Sequence, residues 1–310
     1  MSTTPPYVRH DAQIAVGLET NHGEPVTPDR NLGKIVEAGD MPDPTVEWLE
    51  ERSINAGGRE LTGKEPGRNT YDGGSLTVLP VDEFPFEYVL GTDADETTGV
   101  IEVSNDPLPR TLTVEATYFG AGGSDDFVRT FEGNAPDTAT IAVDNESQLT
   151  LSIDFVAQGV TTGTTSTDVG EATGSPWLFH DANSNLTLAG TEYARITDFE
   201  WEISNNIDPR YYIHADNAED PYEAPYGNAA HAVSVTANPE DSSLFDQLVG
   251  RDDAGSASIA FQRPDGATLE FEYDNVGIEE APHPFPDEGT PEVSLALTPN
   301  AGRVVYTPPT

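Results

Sequence analysis

Two stretches of the chain carry rows of carboxylates that could act together. The first, ITDFEWEISNNI at 196–207, places three of them on one face: Asp198, Glu200 and Glu202. The second, ATLEFEYD at 267–274, adds Glu270 and Glu272. Alternation with period two predicts a half-buried β-strand, so each row is expected on the exposed face of a strand. Side by side, the two strands would form one continuous acidic surface.

A catalytic centre is not predicted. Paired carboxylates can hydrolyse glycosides, but acids are so frequent in this chain that their proximity carries little information. The patterns H-E-x-x-H, G-x-G-x-x-G, G-x-S-x-G and the Walker loop do not occur. The six histidines are scattered without metal-ligand spacing: His10, His22, His180, His214, His231 and His283. We therefore expect a protein that is not an enzyme.

One pattern resembles a calcium loop. Oxygen-bearing side chains occur at its first, third, fifth and twelfth positions: Asp181, Asn183, Asn185 and Glu192. The sixth position needs glycine for a sharp turn, but it is Leu186, and the flanking residues are typical of strands. A turn that enters a strand explains the pattern better than calcium or another cation, and no cofactor is otherwise expected.

Several aromatic residues could form a sugar-binding platform. The candidates are three tryptophans and three tyrosines: Trp48, Trp177, Trp201, Tyr211, Tyr212 and Tyr222. Such residues are more often part of a core or a subunit interface. A carbohydrate-binding β-sandwich from a halophile is therefore one alternative function.

The charge of the chain is strongly acidic. Asp and Glu number 55 against 14 Lys and Arg, a net charge of -41, with Lys34 and Lys64 the only lysines. At molar salt the Debye length falls to about 3 Å, which screens the self-repulsion of such a chain. The acids are spread along the whole sequence, which favours a halophilic cytoplasm over one basic partner. Cysteine is absent, and no secretion signal or membrane span is predicted.

Strands dominate the elements that must position these residues. Most of the chain after Gly99 alternates like strands, with turns expected at 120–123 and 133–137, a long loop near 160–174 and a strand at 175–179. Helical segments are predicted at 45–52, at 84–90 and at 239–249, the last with N-cap Asn238 and a stop at Gly250. We predict a mainly β fold, a β-sandwich or half-barrel with one packed α-helix. Residues 1–97 would form an N-terminal arm and irregular lobe, and 98–310 the β-domain.

The order of these elements resembles the tail tube proteins of tailed viruses. Residues 14–20 (IAVGLET) with His22-Gly23-Glu24-Pro25 resemble that family's amino-terminal strand and Glu-x-x-x-Gly turn. Residues 73–76 running to 86–91 resemble its segment ending in Leu-Gly, and 199–206 resemble the strand that begins its second half. Two further features complete the match. Residues 232–276 are predicted to form a strand, a helix that begins at Asn-Pro, and two more strands, and a last strand follows the proline-rich residues 281–291.

The resemblance implies a structural protein of the virion tail. Subunits of that family close hexameric rings, the rings stack, and their strands form a continuous β-barrel around a channel for DNA and the tape-measure protein. Tail terminator and baseplate proteins would be further partners, and assembly would occur in the cytoplasm of a haloarchaeal host. The carboxylates Asp198, Glu200, Glu202, Glu270 and Glu272 would line the channel and repel DNA, which binds proteins mainly through Lys and Arg. Another β-rich virion component, such as a tail terminator or a decoration protein, is the second alternative.

Overall fold

The computed structural model describes residues 12–51, 63–120, 125–181, 186–188, 191–193, 196–213, 218–238, 255–280 and 293–309. Most regular structure in these residues is β-strand, with one α-helix, α1 (Phe84–Leu90), and one 3-10 helix (Phe179–Asp181). The strands are β1 (Ala12–Leu18), β2 (Lys34–Ala38), β3 (Thr45–Glu51), β4 (Gly63–Thr70), β5 (Gly74–Leu79), β6 (Val100–Glu102), β7 (Leu112–Tyr118), β8 (Phe127–Asp144), β9 (Thr150–Val156), β10 (Gly159–Gly163), β11 (Leu186–Leu188), β12 (Thr191–Tyr193), β13 (Ile196–Ser204), β14 (Ala230–Ala237), β15 (Ser256–Gln262), β16 (Thr268–Asp274), β17 (Gly277–Glu280), β18 (Val293–Thr298) and β19 (Ala301–Thr307). The predicted mainly β class is confirmed.

The larger of the two main sheets has 11 strands. Its longest path runs β17-β18-β14-β13-β8-β9-β5-β2; β7 and β10 also pair with β8, and β1 pairs with β7. All of its pairings are antiparallel. Strands β1, β2 and β5 come from the predicted N-terminal part, so that part and the predicted β-domain contribute to the same sheet.

The long strand β8 joins the two halves of this sheet. It has 18 residues, so the predicted turn at 133–137 is wrong. The first half pairs with β7 and β10, and the second half pairs with β9 and β13. The register shifts beside Pro136, and Gly133 has a φ of 65°, as in a bulge. Asn134 is fully buried there and donates to Leu112 O and Phe131 O, which satisfies carbonyls at the irregularity.

The second main sheet has six strands in the order β12-β11-β15-β16-β19-β6. It packs face to face on the larger sheet, because the Phe199 ring of β13 stacks on Phe271 of β16 at 5.5 Å. Trp201 meets Tyr273 edge to face at 5.1 Å in the same core. Both predicted alternations are confirmed, since every second residue of β13 and β16 is buried.

The short helix α1 fills the core rather than decorating it. Six of its seven residues are buried, and Phe86 contacts Phe271 edge to face at 6.0 Å. The Tyr88 hydroxyl donates to Asn134 O at 3.0 Å. Gly91 ends the helix with a φ of 86°, as predicted from the sequence. Among the described residues, no helix has the length and apolarity required to span a membrane.

Residues 45–51 form a strand and not the predicted helix. β3 pairs with β4 in a separate two-stranded sheet, with Trp48 opposite Pro66. Thr45, Val46 and Trp48 have high strand propensity, and pairing with β4 satisfies the backbone of the segment. The predicted strand at 175–179 is also wrong, because this segment forms one bridge, Gln148 to Leu178, and then enters the 3-10 helix.

The turn after β1 is held by the side chain of Glu19. Glu19 Oε2 accepts hydrogen bonds from Gly23 N at 3.0 Å and Thr111 Oγ1 at 2.5 Å. Its Oε1 accepts from Thr113 Oγ1 and Gly133 N, both at 2.9 Å. This carboxylate is only 7% exposed, so the Glu-x-x-x-Gly pattern of the sequence joins the first turn to β7 and β8.

The predicted long loop at 160–174 begins as strand β10 and is then held against the subunit. Thr167 donates from its backbone N at 2.6 Å and from its hydroxyl at 3.1 Å to the buried Glu115 of β7. Ser166 donates to Asp126 at 2.7 Å. Two other predicted features, the helix at 239–249 and the turn at 120–123 after Gly120, lie outside the described residues.

Candidate functional site

The carboxylates of β13 form an exposed row on the outer face of the larger sheet. Asp198, Glu200 and Glu202 all point away from the core that Phe199 and Trp201 enter. Within the described part of the chain, no lysine, arginine or histidine forms an ion pair with this row. Partial burial raises the pKa of Asp198, and repulsion from Asp144, its partner on β8, raises that pKa further. The row is therefore negative and unneutralised.

The carboxylates of β16 have a different environment. Glu270 and Glu272 are half-buried on the outer face of the six-stranded sheet. Arg303 of β19 reaches Glu272 Oε2 at 2.5 Å and Asp274 Oδ2 at 2.6 Å. One guanidinium thus neutralises much of this second row.

The two rows lie on opposite sides of the subunit. The buried faces of β13 and β16 meet in the core through Phe199 and Phe271, so their acidic faces point in opposite directions. The predicted continuous acidic surface is wrong for the single subunit. Alternation identifies the exposed face of each strand, but it does not say which sheet the strand joins.

The strands around the β13 row contribute small and hydroxyl side chains to the same outer face. Ser152 lies 2.9 Å from Thr77, and Thr236 lies 3.2 Å from Ser294, in cross-strand hydroxyl pairs. Strands β5, β9, β13, β14, β17 and β18 contain no lysine or arginine. Since Lys and Arg supply most phosphate contacts, these strands offer little that would hold nucleic acid.

The candidate calcium loop is not arranged as a loop at its second half. The 3-10 helix ends at Asp181, and Asp181 Oδ2 accepts a hydrogen bond from Leu178 N at 2.9 Å. Residues 186–188 and 191–193 pair as a β-hairpin, with Thr187 opposite Glu192. Asn183 and Asn185 lie outside the described residues, as does the side chain of Glu192. Among the residues that are described, no group of three His, Asp or Glu side chains could hold a metal ion.

The aromatic residues do not gather into a sugar-binding platform. Trp177 and Trp201 are fully buried in the core. Tyr212 and Tyr222 meet edge to face at 5.5 Å, while Trp48 lies on the separate β3–β4 hairpin. The interpretation of these aromatics as one ligand-binding surface is therefore wrong.

The β3–β4 hairpin carries an exposed apolar surface that sequence reasoning missed. Trp48 is 50% exposed, Leu49 57% and Val46 37%. Val46 and Trp48 lie on one face and Leu49 on the other, so both faces of the ribbon are apolar. β4 is joined to the rest of the subunit, since Asn69 N donates to Glu219 O at 2.6 Å and Tyr211 OH donates to Asn69 O at 2.7 Å. The exposed apolar side chains of β3 remain available for contact with another surface. The signal for it is the run Thr45-Val46-Glu47-Trp48-Leu49, whose pattern also suits the predicted helix.

Comparison with known proteins gives the family of this molecule. A family model described as phage tail tube protein matches residues 9–300. No curated protein matches the chain. The chain belongs to the phage tail tube protein family, and it is a structural, non-enzymatic protein of the virion tail. Membership implies assembly with further copies of itself and with other tail proteins.

Proposed function

We propose that this chain closes hexameric rings that stack into the tail tube. The main path of the eleven-stranded sheet ends in β2 and β17, and these two strands, like β1 and β10 on its branches, have one described neighbour each. Free strand edges are a hazard in a monomer, and pairing between neighbouring subunits removes them. Contact between two different edges of identical subunits is heterologous. If each such contact turns the next subunit by the angle that closes the circle, the subunits form a ring and their sheets form a continuous β-barrel. The tape-measure protein and the viral DNA would occupy its channel, and tail terminator and baseplate proteins would bind its two ends.

The outer face of the larger sheet is the best candidate for the channel wall. The single observation that supports this choice is the unneutralised row Asp198, Glu200 and Glu202, since neither β14 nor the half of β8 that pairs with β13 contains lysine or arginine. A duplex must slide through such a wall without binding, and repulsion between carboxylates and phosphates gives that property. Glu270 and Glu272 face the opposite side, next to Arg303, so they are the weaker candidates from our sequence-based set.

The absence of cysteine from the chain permits a direct test of the channel wall. Glu200→Cys is compared with Glu270→Cys, its counterpart on the other sheet, in free subunits and in assembled tubes. We expect a maleimide on a bulky polymer to modify Glu200→Cys in free subunits and to fail in tubes, while a small maleimide modifies it in both. Glu270→Cys should not show this selective protection from the bulky reagent. Equal modification of Glu200→Cys by the bulky reagent in tubes and subunits would remove this row from the channel.

The β3–β4 hairpin and the N-terminal part are the surfaces on which we propose contacts between rings. Exposed Trp48 and Leu49 supply apolar area for a neighbouring subunit. Residues 161–174 are a further candidate for such contacts, but Asp126 and Glu115 hold Ser166 and Thr167 within the subunit. Contacts through that segment would require these hydrogen bonds to break or to adapt.

The net charge supports the proposal of a virus with a halophilic, haloarchaeal host. A tube contains many copies of the chain, each with a net charge of -41, so the copies repel one another. Molar salt screens this repulsion. Negative-stain electron microscopy of the purified chain tests assembly and salt dependence together. We expect rings or hollow tubes at high salt that dissociate on dilution. Single subunits at every salt and protein concentration, also with an added tail initiator complex, would contradict the tube proposal.

A further inference from the structure

The β3–β4 hairpin projects from the subunit as an arm. Every residue from Asp43 to Glu50 is exposed, and β3 pairs with β4 alone in the described part of the chain. The base of the hairpin is attached, since the Arg68 guanidinium lies 5.1 Å from the centre of the Tyr211 ring. The seven residues of β3 extend about 23 Å at the usual rise of a strand. The far end of the hairpin can therefore reach another copy of the chain.

The far end of this hairpin is basic, although the chain is strongly acidic. Residues 52–62 lie outside the described residues, and their sequence contains Arg52 and Arg59 but one acid, Glu60. Lys64 follows at the start of β4, so positions 52 to 64 carry three cations against one carboxylate. The exposed apolar side chains of β3 lie directly behind this cationic tip. A matching surface needs negative charge in a recess and apolar groups at its rim.

A large cleft on the opposite side of the first turn has room for such a tip. Its volume is about 1440 Å³, and three segments form most of its lining: residues 18–23, 106–111 and 220–223. His22 joins two of its walls, because His22 Nε2 accepts a hydrogen bond from Ala224 N at 3.2 Å and lies 2.7 Å from Gln158 Nε2. No described residue of the hairpin lines the cleft of its own copy.

Carboxylates dominate the lining of this cleft. Arg110 is the only lysine or arginine among the described lining residues, and its Nη2 pairs with Asp93 at 2.6 Å. Arg210, outside the lining, approaches Glu223 to 3.5 Å. Four further carboxylates form no ion pair with any described residue: Glu19, Asp106, Glu132 and Asp220. The cleft is therefore a negative site that an added cation would balance.

Repulsion inside the cleft acts on Glu132. Burial raises the pKa of Glu132, and the charges of Glu19 and Asp220 raise it further. A guanidinium placed among these carboxylates would relieve the repulsion. Salt screens partly buried charges much less than exposed ones, so this attraction persists at high ionic strength.

The rim of the cleft carries apolar groups. Leu108 is 36% exposed on one wall, and Tyr222 is 63% exposed on the other. Apolar contact with such a rim would bury the exposed Trp48 and Leu49 of an incoming hairpin. The face of the Tyr222 ring is also a suitable neighbour for an arginine.

We propose that this cleft receives the tip of the β3–β4 hairpin, residues 52–59, from a second copy of the chain. Arg52 and Arg59 would lie among the carboxylates of the cleft, and the apolar side of β3 would cover Leu108 and Tyr222. The docking rests on the proposed assembly and names the surface that receives the hairpin. Hairpin and cleft are different surfaces of one subunit, so the contact is heterologous and repeats from copy to copy.

Cross-linking of two different full-length copies tests the docking, since the chain has no cysteine of its own. Ser53→Cys lies on the hairpin tip of one copy, and Leu108→Cys lies on the cleft rim of another copy with a different affinity tag. We expect a short bis-maleimide to produce covalent dimers that carry both tags. Ile213→Cys is the matched control for Leu108→Cys, because Ile213 is fully exposed outside the cleft. It should give at least about tenfold less dimer, since docking raises the effective concentration only at the cleft.

The same reagent distinguishes two other occupants of the cleft. A chain with both Ser53→Cys and Leu108→Cys would form an intrachain link in dilute solution if its own hairpin tip filled the cleft. A copy with Val8→Cys would link to Leu108→Cys if residues 1–10, which also contain an arginine and no acid, were the occupant. Either result without the link between copies from position 53 would overturn the proposal.

Reversal of the tip charges tests the chemistry of the contact. Arg52→Glu together with Arg59→Glu should lower the yield of the covalent dimer about tenfold or more, with thermal unfolding of the subunit unchanged. Asp106→Arg in the receiving copy should restore part of this yield, because Asp106 is an exposed carboxylate of the cleft. A dimer yield that the reversal leaves unchanged would contradict the docking.

Negative-stain electron microscopy of the same samples separates the docking from the proposed tube. Tubes that form without the link between positions 53 and 108 would overturn the docking and leave ring assembly intact. The link without rings or tubes would support the docking and contradict ring assembly, because cross-linking requires only two copies. Absence of the link from every sample would overturn the docking.

Discussion

Replacement of Glu19 by glutamine should destabilise the subunit strongly. The carboxylate accepts four hydrogen bonds, two on each oxygen, at distances from 2.5 to 3.0 Å. Each oxygen takes one backbone N–H, from Gly23 or from Gly133, and one threonine hydroxyl. A glutamine NH₂ group must replace one oxygen in either orientation of the amide, and it then faces one of these backbone N–H groups.

The cost can be estimated from these contacts. The threonine hydroxyl can rotate to accept from the new NH₂ group, but the backbone N–H cannot, and it remains buried without a partner. That penalty is about 1–3 kcal/mol, and the remaining hydrogen bonds lose the benefit of an ionised acceptor. We expect Glu19→Gln to lower the free energy of unfolding by about 3 kcal/mol. For a chain of this size the loss corresponds to a fall in Tm of about 5 °C.

Urea unfolding followed by tryptophan fluorescence is the assay, since Trp177 and Trp201 are fully buried. Salt and pH are held constant. If the slope of the free energy of unfolding against urea concentration is the same for the variant and the unmodified chain, the substitution has changed only stability. Glu24→Gln is the control, because Glu24 is exposed in the same turn and only accepts from Asn21 at 2.8 Å, a bond that glutamine retains. A loss for Glu19→Gln below about 1 kcal/mol, or one equal to that of the control, would refute the reasoning.

Three further results are expected. Trp48→Ser should raise the protein concentration needed for tube assembly about tenfold or more, with little change in subunit stability, because half of the Trp48 side chain is exposed in the subunit and a neighbouring subunit would bury it. Sedimentation measures the concentration at which tubes form, and an unchanged value would exclude the hairpin from the contacts. Arg303→Met should lower the free energy of unfolding by about 1 kcal/mol at low salt, because Glu272 and Asp274 repel each other once the guanidinium is removed. The loss should be smaller at molar salt, which screens this repulsion. A loss of stability that does not depend on salt would indicate a packing effect instead. Burial raises the pKa of Asp82 above its ordinary value of 3.8, so the folded state binds this proton more readily than the unfolded state. The stability of the subunit should therefore rise as the pH falls from the raised pKa toward 3.8. Thermal scans of Asp82→Asn should lack that part of the pH dependence, and pH profiles identical to those of the unmodified chain would contradict it.

Local patterns in the sequence predicted the individual strands well. The alternation of 196–204 and 268–274 identified which residues enter the core, because side chains of a strand point to opposite faces in turn. Gly91 marked the end of α1 because its left-handed conformation suits glycine. The Glu19 to Gly23 spacing marked the first turn, although the sequence did not reveal that Thr111, Thr113 and Gly133 share the same carboxylate.

Predictions failed where the outcome depended on distant partners. Residues 45–51 have a pattern that suits a helix or a strand, and pairing with β4 decided for the strand. Gly133 and Pro136 are residues typical of a turn, but β8 continues through them. Its first half pairs with β7 and β10, and its second half pairs with β9 and β13. Neither outcome can be derived from the residues of the segment alone, since the deciding hydrogen bonds come from elsewhere in the chain.

The sequence by itself determined a mainly β, strongly acidic, cysteine-free chain and the exposed face of each acidic strand, because composition and period two are local properties. Only the tertiary structure decided that the rows of β13 and β16 point in opposite directions and that Arg303 neutralises one of them. It also brought His22, Gln158 and Ala224 together from three parts of the chain. The physical reason is that sheet membership and register are set by burial and pairing over long sequence separations, which no local pattern records.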